Sequence, residues 1–594
     1  EKGEGDLLYM FYTSLTGDRK ESTLDVEGRK VFRDIHGGGY HGGWGGAARM
    51  RIYEELSTQK MLTGEEEIRF EKIVKQSLES RFIDFKKKAQ SANNHSFGNA
   101  GGIALALKLF PDSPQADEAR AWINRIWENL SEFGDWTEWN YYPYGPIFLH
   151  GLIDIAEVTG RIESDNELIN AVGNRCLGFI HGGGVRGNPN CGSVVRDDLE
   201  SVYKDPWNFG YYNVETSSRD GHFWYRLAKH YKDPYYLWAA EQVLLGGRPL
   251  NGKVSKEYDS AYERRFAWFI ERDIKPKIPE GGAKIGLLSS LKNKIPERLY
   301  LNRDRKAGSA FAAFFLYPEK DEHLDNVSGH LYEYSVSGSK YLHTSGKYNN
   351  VYSGKDLRGG GTGEESLDLL LVMHNRHQFP LHPDRKGDDR DFMRRGSIKH
   401  DDAFVVAENN NFGDSYGRFA FNNYYGEGSR WERQVVLTRE GFFVVLDRYK
   451  GGEVLGEEYS AGPVWHVGFD EPIKEGSQTE SWFDFPPLDN AWWKKKKSRV
   501  LLIAHPHPKA KYGRVKQRNS QDTSPNVTVY SYRPISATND EYFLNVFIPY
   551  DLPVDTTSIV KKTKTHLDSM GRAEVDLGHA DIKILIDKSW SVSR

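Results

Sequence analysis

The chain has 594 residues, enough for two or more domains, each with its own core. A formal net charge of -4 and a pI near 6.6 exclude the globally basic field that draws nucleic acid or an anionic membrane surface. Mean hydropathy is -0.66 and no run of about 18 apolar residues occurs, so no membrane-spanning helix is expected. The chain opens on "EKGEGDLLYM", with neither an initiator Met nor the apolar stretch of a signal segment, which reads as a processed or trimmed chain. "HGGGYHGGWGG" (36–46) reads as a loop, either flexible or closing over a ligand.

From about 47 to 300 the pattern is helical. "EEEIRFEKIVKQSLESRFIDFKKKA", "ADEARAWINRIWENLSEF" and "GPIFLHGLIDIAEVTG" repeat apolar residues at intervals of three and four, and "DGHFWYRLAKHY" and "DPYYLWAAEQVLLGG" continue the series. Gly and Pro separate the segments, as successive antiparallel helical hairpins require. "LKNKIPERLYLNRDRKAG" (291–308) reads as a polar connector. From about 307 short β-branched and aromatic runs take over, among them "HLYEYSVSGSKYLHTSG", "RQVVLTREGFFVVLDRY", "SRVLLIAHPHP" and "NVTVYSYRP". The predicted fold class is α+β multidomain: a helical domain over 1–300, then an antiparallel β-sandwich domain over 301–594.

Aromatic residues make up 13% of the chain, with 33 Tyr and 15 Trp. Many lie in polar, Gly-rich surroundings, as in "DWTEWNYYPYG" (135–145) and "DNAWWKKKK" (489–497). Flat rings beside hydrogen-bonding groups suit sugars, whose faces are apolar and whose edges are hydroxylated. The two cysteines, Cys176 and Cys191, are too few for a disulfide scaffold, although they could close one loop. That scarcity points to a secreted or periplasmic protein.

Several motifs carry no chemistry. "GGGTGEES" lacks the Gly-Lys-Ser/Thr ending of a phosphate-binding loop, and Lys494–Lys497 reads as a solvated turn. Three groups remain. Asn93, Asn94 and His95 precede an apolar helix, where capping needs only one such residue. Glu138, Trp139, Tyr141, Tyr142 and Tyr144 lie in "EWNYYPYGPIF". His323, Asp325, His330 and His343 open the β region, and His374, His377 and His382 follow in "VMHNRHQFPLHP".

These groups fit β-elimination from a uronate polysaccharide. The proton on C5 is barely acidic while the adjacent carboxylate is charged, so Asn amides or a protonated His must hold that carboxylate. A Tyr or His then removes the proton, and a Tyr or His returns one to the leaving oxygen on C4.

In these motifs the chain resembles polysaccharide lyases of the heparinase II/III and related alginate-lyase type, across most of residues 90–450. That family joins an (α/α) toroid to an antiparallel β-sandwich. "NNH" resembles its Asn-His motif, which implies that Asn94 and His95 neutralise the carboxylate and assist proton transfer. "EWNYYPY" resembles its Tyr motif and places Tyr142 and Tyr144 47 and 49 residues after His95, so either inherits the proton-transfer role. Asn93, Glu138, Trp139 and Tyr141 become substrate-binding candidates. "EHLDNVSGHLYEY" resembles the first sandwich strand and implies His323 as a further catalytic residue, while "RQVVLTREGFFVVLD" resembles a later hairpin. Asp325 and His343 fall where the family carries a metal-binding His and Asp, in swapped order. With His374 they form a set suited to a structural Zn²⁺, which the chemistry itself does not need.

The implied substrate is an anionic polysaccharide. The arginines of "HPDRKGDDRDFMRRGSIKH" (382–400) match sulfate as well as carboxylate, which points to a sulfated, ulvan-like polymer, with glycosaminoglycan or alginate as alternatives. Two other classes stay open. A toroidal glycoside hydrolase would use two carboxylates drawn from Asp135, Glu138 and Asp220, and a non-catalytic glycan binder would use the aromatics alone.

Overall fold

The computed structural model describes most of residues 94–134, 144–180, 221–245, 274–287, 296–316, 329–343, 370–374, 403–452, 459–468, 481–516 and 526–593, with scattered positions between 50 and 75. Besides helical positions between 50 and 75, the helices with described bounds before the first strand are α1 (Asn94–Leu109), α2 (Ala116–Phe133), α3 (Tyr144–Val158), α4 (Arg161–Ser164), α5 (Asn166–Leu177), α6 (Gly221–Tyr231) and α7 (Pro234–Leu245). No helix among the described residues is long and apolar enough to cross a membrane.

Sequence pattern sets the place of each helix. In α2, Ala119, Trp122, Ile123, Ile126, Trp127 and Leu130 are buried on one stripe, and Asp117 and Glu118 complement the positive end of the helix dipole. Gly134 ends it with φ +83°, its N–H donating to the Leu130 carbonyl. Helix α3 is buried nearly all round, through Phe148, Leu149, Leu152, Ile153, Ile155 and Ala156. Helix α1 is similar, with Phe97, Ala100, Ala104, Leu105 and Ala106 buried. An apolar stripe makes an outer helix; apolar surface on every side makes an inner one.

The strands are β1 (Lys284–Leu287), β2 (Pro296–Asn302), β3 (Phe311–Phe315), β4 (Leu331–Val336), β5 (Ser339–His343), β6 (Leu370–His374) and β7 (Ala403–Asn409). Next come β8 (Ser415–Asn422), β9 (Arg430–Leu437), β10 (Phe443–Lys450), β11 (Tyr459–Gly468), β12 (Trp482–Phe485), β13 (Asp489–Asn490) and β14 (Ser498–Ala504). The chain closes with β15 (Lys511–Lys516), β16 (Asn526–Pro534), β17 (Asp540–Asp551), helix α8 (Thr556–Lys562), β18 (Thr563–Leu567), β19 (Ala573–Leu577), β20 (Ile582–Ile586) and β21 (Val592–Ser593). All described pairings are antiparallel. They form sheets of order β1-β2-β3-β4-β5-β13, β12-β14-β17-β10-β9-β8-β7, β15-β16-β11-β6 and β18-β19-β20-β21.

Strand periodicity stacks these sheets. In β10, Phe443 and Val445 enter one core while Val444 and Leu446 enter another, and β14 divides Val500 and Leu502 from Leu501 and Ile503 in the same way. The seven-stranded sheet therefore contributes to a core on each of its faces. One face meets the six-stranded sheet and the other meets the C-terminal sheet and α8. The six-stranded sheet is two-faced as well: Leu299, Leu301, Ala312 and Phe314 look into the sandwich, while Tyr300, Phe311 and Ala313 pack on the helices. Strand β2 lies inside the segment whose polar flanks read as a connector. Pro296 stands at its first position, where a missing N–H is tolerated.

The junction with the helices is polar at its edge. The Tyr300 hydroxyl donates to the Arg175 carbonyl at 2.8 Å and Arg305 Nη1 donates to the Leu177 carbonyl at 2.7 Å. These are carbonyls of the last turn of α5, which also accept from the Gly178 and Ile180 N–H groups just past the helix. Burial lowers the Arg305 pKa to about 10, so the group remains charged at neutral pH. Gly178 makes the approach possible, since a Cβ there would lie 2.3 Å from the Tyr300 ring.

At the centre of the sandwich, Arg433 and Asp447 face each other across β9 and β10, both fully buried. Arg433 Nε and Nη2 donate to Asp447 Oδ1 and Oδ2 at 2.7 and 3.0 Å, and Trp431 Nε1 donates to Oδ1 at 2.8 Å. The guanidinium carbon lies 4.9 Å from the ring centroids of both Trp431 and Trp465. Asp447→Asn would leave a buried guanidinium without its counter-charge, at a cost of about 3–5 kcal/mol. Urea denaturation of the variant should show a midpoint lowered accordingly; a midpoint equal to that of the parent would mean the pair is dispensable.

Candidate active site

The candidate residues whose backbone is described fall on two inner helices and at the ends of two strands. Asn94 is the first residue of α1 and His95 the second, while Tyr144 is the first residue of α3. His343 ends β5 and His374 ends β6. For these five the backbone is described and the side chain is not. Asn93, Glu138, Trp139, Tyr141, Tyr142, His323 and Asp325 lie outside the described residues, as does Cys191, the possible partner of the buried Cys176.

Helices α1 and α3 run side by side in the same direction. The Phe97 ring packs edge-on against Phe148, with centroids 4.8 Å apart, and the next contacts along α1 meet later residues of α3. A Cβ on Gly151 would fall 2.0 Å from the Phe97 carbonyl oxygen, and one on Gly101 would fall 3.0 Å from Gly151 Cα and 3.2 Å from Asp154 Cβ. Parallel helices in contact bring their first turns to the same end. The backbone that carries Asn94 and His95 thus starts beside the backbone that carries Tyr144.

Helix α3 is tied to α6 by charge. Arg226 Nη2 lies 2.7 Å from Asp154 Oδ1 and 2.5 Å from Glu157 Oε2, while Nε donates to Glu157 Oε1 at 2.7 Å. His230 Nε2 lies 3.1 Å from the same Oε1. Burial alone would lower the Arg226 pKa, but Asp154 and Glu157 together raise it above its ordinary value. These positioning residues were absent from the sequence-based site. Their signal was available: Asp154 and Glu157 are spaced i,i+3 in the otherwise apolar run "GLIDIAEV".

Among the described residues no group of three or more His, Cys, Asp or Glu is placed to hold a metal. The backbone does set two of the proposed ligands near one strand. His374 is paired with Tyr459 of β11, and β11 also packs against β5, which ends in His343. Across from His343 on β4 stands Glu333, buried with Lys340 in an ion pair of 2.9 Å.

The helix crossing is testable by its lack of space. Gly151→Ala should lower stability by at least about 1–3 kcal/mol, because the new methyl meets backbone and not a flexible side chain. Gly64→Ala, at an exposed helical position with nothing within 4 Å, serves as the control and should be neutral or slightly stabilising. Equal thermal midpoints for the two variants would refute the crossing.

No family model and no curated protein matches the chain in sequence. Its fold is similar to solved polysaccharide lyases. Heparan sulfate lyase HepC from Pedobacter heparinus aligns at TM-score 0.52 and 11% identity, covering 98% of this chain and 80% of that one. Another solved heparinase III aligns at TM-score 0.52 and 12% identity, with 98% and 81% covered. A third heparinase III structure gives TM-score 0.56 and 12% identity over 96% of this chain and 80% of that chain. Nearly the whole chain, helices and stacked antiparallel sheets together, thus shares the fold of heparan sulfate lyases.

Proposed function

We propose that the protein is a polysaccharide lyase that cleaves a uronate-containing sulfated polysaccharide by β-elimination. The observation that carries this reading is the parallel contact of α1 and α3, with the Asn94-His95 and Tyr144 segments starting at one end of it. The fold likeness to heparan sulfate lyases supports it and favours a glycosaminoglycan over the ulvan-like polymer expected from the arginines of 382–400. In this reading the helical unit is an (α/α) toroid, and the protein acts where such polymers occur, in a secreted or periplasmic setting.

The proposed step begins with the uronate carboxylate held by the Asn94 amide and His95. Their donors stabilise the charge that develops as the C5 proton leaves. Tyr142 or Tyr144 takes that proton, the electrons form the C4–C5 double bond, and the bond from C4 to the bridging oxygen breaks. The same tyrosine, or His323, returns a proton to the departing oxygen. Asn93, Glu138, Trp139 and Tyr141 would line the sugar subsites. The products are one new reducing end and one unsaturated uronate.

The decisive measurement is ultraviolet absorbance of the products across a panel of heparan sulfate, chondroitin sulfate, ulvan and alginate. Asn94→Ala and His95→Ala should each lower turnover by roughly a hundredfold or more, as loss of one preorganised donor does. Either Tyr142→Phe or Tyr144→Phe should fold normally and be nearly inactive. New reducing ends formed without any unsaturated uronate at the non-reducing ends would replace the lyase with a hydrolase.

A structural Zn²⁺ fits the donor chemistry of Asp325, His343 and His374, one carboxylate and two imidazoles, with the last two on strands that both adjoin β11. Bound there, the ion would supply charge and rigidity to the segment carrying His323. Chelation should lower the melting temperature before it alters substrate preference. Elemental analysis showing no stoichiometric metal, together with full activity in chelator, would reject the site.

A further inference from the structure

Among the described residues, the outer face of the seven-stranded sheet is covered only in part. Its even-numbered residues Val436, Val444, Leu446, Leu544 and Val546 lie beneath the C-terminal sheet. That cover ends near Tyr542, against which Gly571 of the β18–β19 turn is packed. Further along the same face the side chains change character. Arg418, Arg430, Arg448 and Lys450 occupy even positions of three adjacent strands. Among the described residues two carboxylates share this area, Glu432 and Asp540, against these four cations, in a chain whose net charge is -4.

The three guanidinium groups are held in an array. Glu432, only 2% exposed, receives Arg430 Nη2 at 2.6 Å, Arg448 Nη1 at 3.1 Å and Arg418 Nη2 at 3.5 Å. Arg430 Nη1 also donates to Asn422 Oδ1 at 2.8 Å, and Arg448 Nη2 to Asp540 Oδ2 at 2.7 Å. The arginine side chains nevertheless remain 24, 36 and 31% exposed for Arg418, Arg430 and Arg448, and Lys450 is exposed. A buried carboxylate that fixes several cations at the surface reduces the ordering cost of binding an anion there. Guanidinium forks match the oxygens of sulfate and carboxylate in pairs.

We propose that this face is a second, non-catalytic binding surface for an anionic polysaccharide, built on Arg418, Arg430, Arg448 and Lys450. Two sheet layers separate it from the helices, so a chain held here is distinct from the segment at the candidate active end. Its role is to tether the protein to polymer. The identity of the polymer, a sulfated uronate chain, rests on the lyase reading above; the surface itself rests on charge and geometry.

Retention on immobilised heparan sulfate in the cold, measured against salt, tests the surface. Arg430→Gln combined with Lys450→Gln should weaken retention by roughly 2- to 30-fold, the range expected for two exposed ion pairs. Turnover of a short heparan sulfate oligosaccharide should stay unchanged. Arg430→Lys, which keeps the charge, should retain most of the binding. A second pair, Arg418→Gln with Arg448→Gln, repeats the test with its melting temperature recorded; if that pair unfolds, the first pair decides alone. Unchanged retention in the folded variants overturns the surface even where unsaturated product is formed. Reduced retention supports the surface even if the wild type forms no unsaturated product, in which case the lyase reading alone fails.

Discussion

Gly151 lies so close to the Phe97 carbonyl that no side chain fits between α1 and α3, and the candidate site depends on that proximity. A Cβ at this point would spread the two helices, and with them the Asn94-His95 and Tyr144 backbones. The proposed elimination would need a carboxylate clamp and a proton acceptor held in fixed positions about one carbon. Rigid inner helices meet that requirement better than loops. The Arg226 ties to Asp154 and Glu157 then hold α3 against rotation about its own axis.

Buried ions recur through the molecule, as Asp154 with Arg226, Glu333 with Lys340 and Arg433 with Asp447. Desolvation offsets much of the attraction within such pairs, so their contribution to net stability is small. What they enforce is uniqueness. A one-residue slip between β9 and β10 would turn Arg433 and Asp447 to opposite faces and strand two charges in apolar cores. The two tryptophans around Arg433 restrict its plane further.

Much of the fold was legible because burial leaves a period in the sequence. "ADEARAWINRIWENLSEF" coincides with α2, and "RQVVLTREGFFVVLD" falls on the β9–β10 hairpin. Strand β2 was not legible. Its buried core, "RLYL", is short and lies between charged and Pro-containing flanks, so local composition outweighed tertiary burial. Buried arginines such as Arg298, Arg305 and Arg433 were equally hidden, since charge normally signals surface. For the site, the sequence indicated the helix start at Asn94 and the one at Tyr144, but not that these helices are parallel neighbours. Tertiary contacts at two glycines decide that, and a glycine announces no partner.

Strands whose alternate residues serve different cores also govern how the molecule comes apart. Leu299 and Tyr300 are consecutive, yet one belongs to the sandwich and the other to the helical core. Val445 and Val444 divide in the same way between the sandwich and the C-terminal sheet. Melting any one layer strips a face from the next and exposes its apolar residues to water. The loss of one layer therefore weakens the next. A cut that removes the helices would leave Tyr300 and Phe311 on an open, sticky sheet, so the sandwich is not an independently soluble fragment.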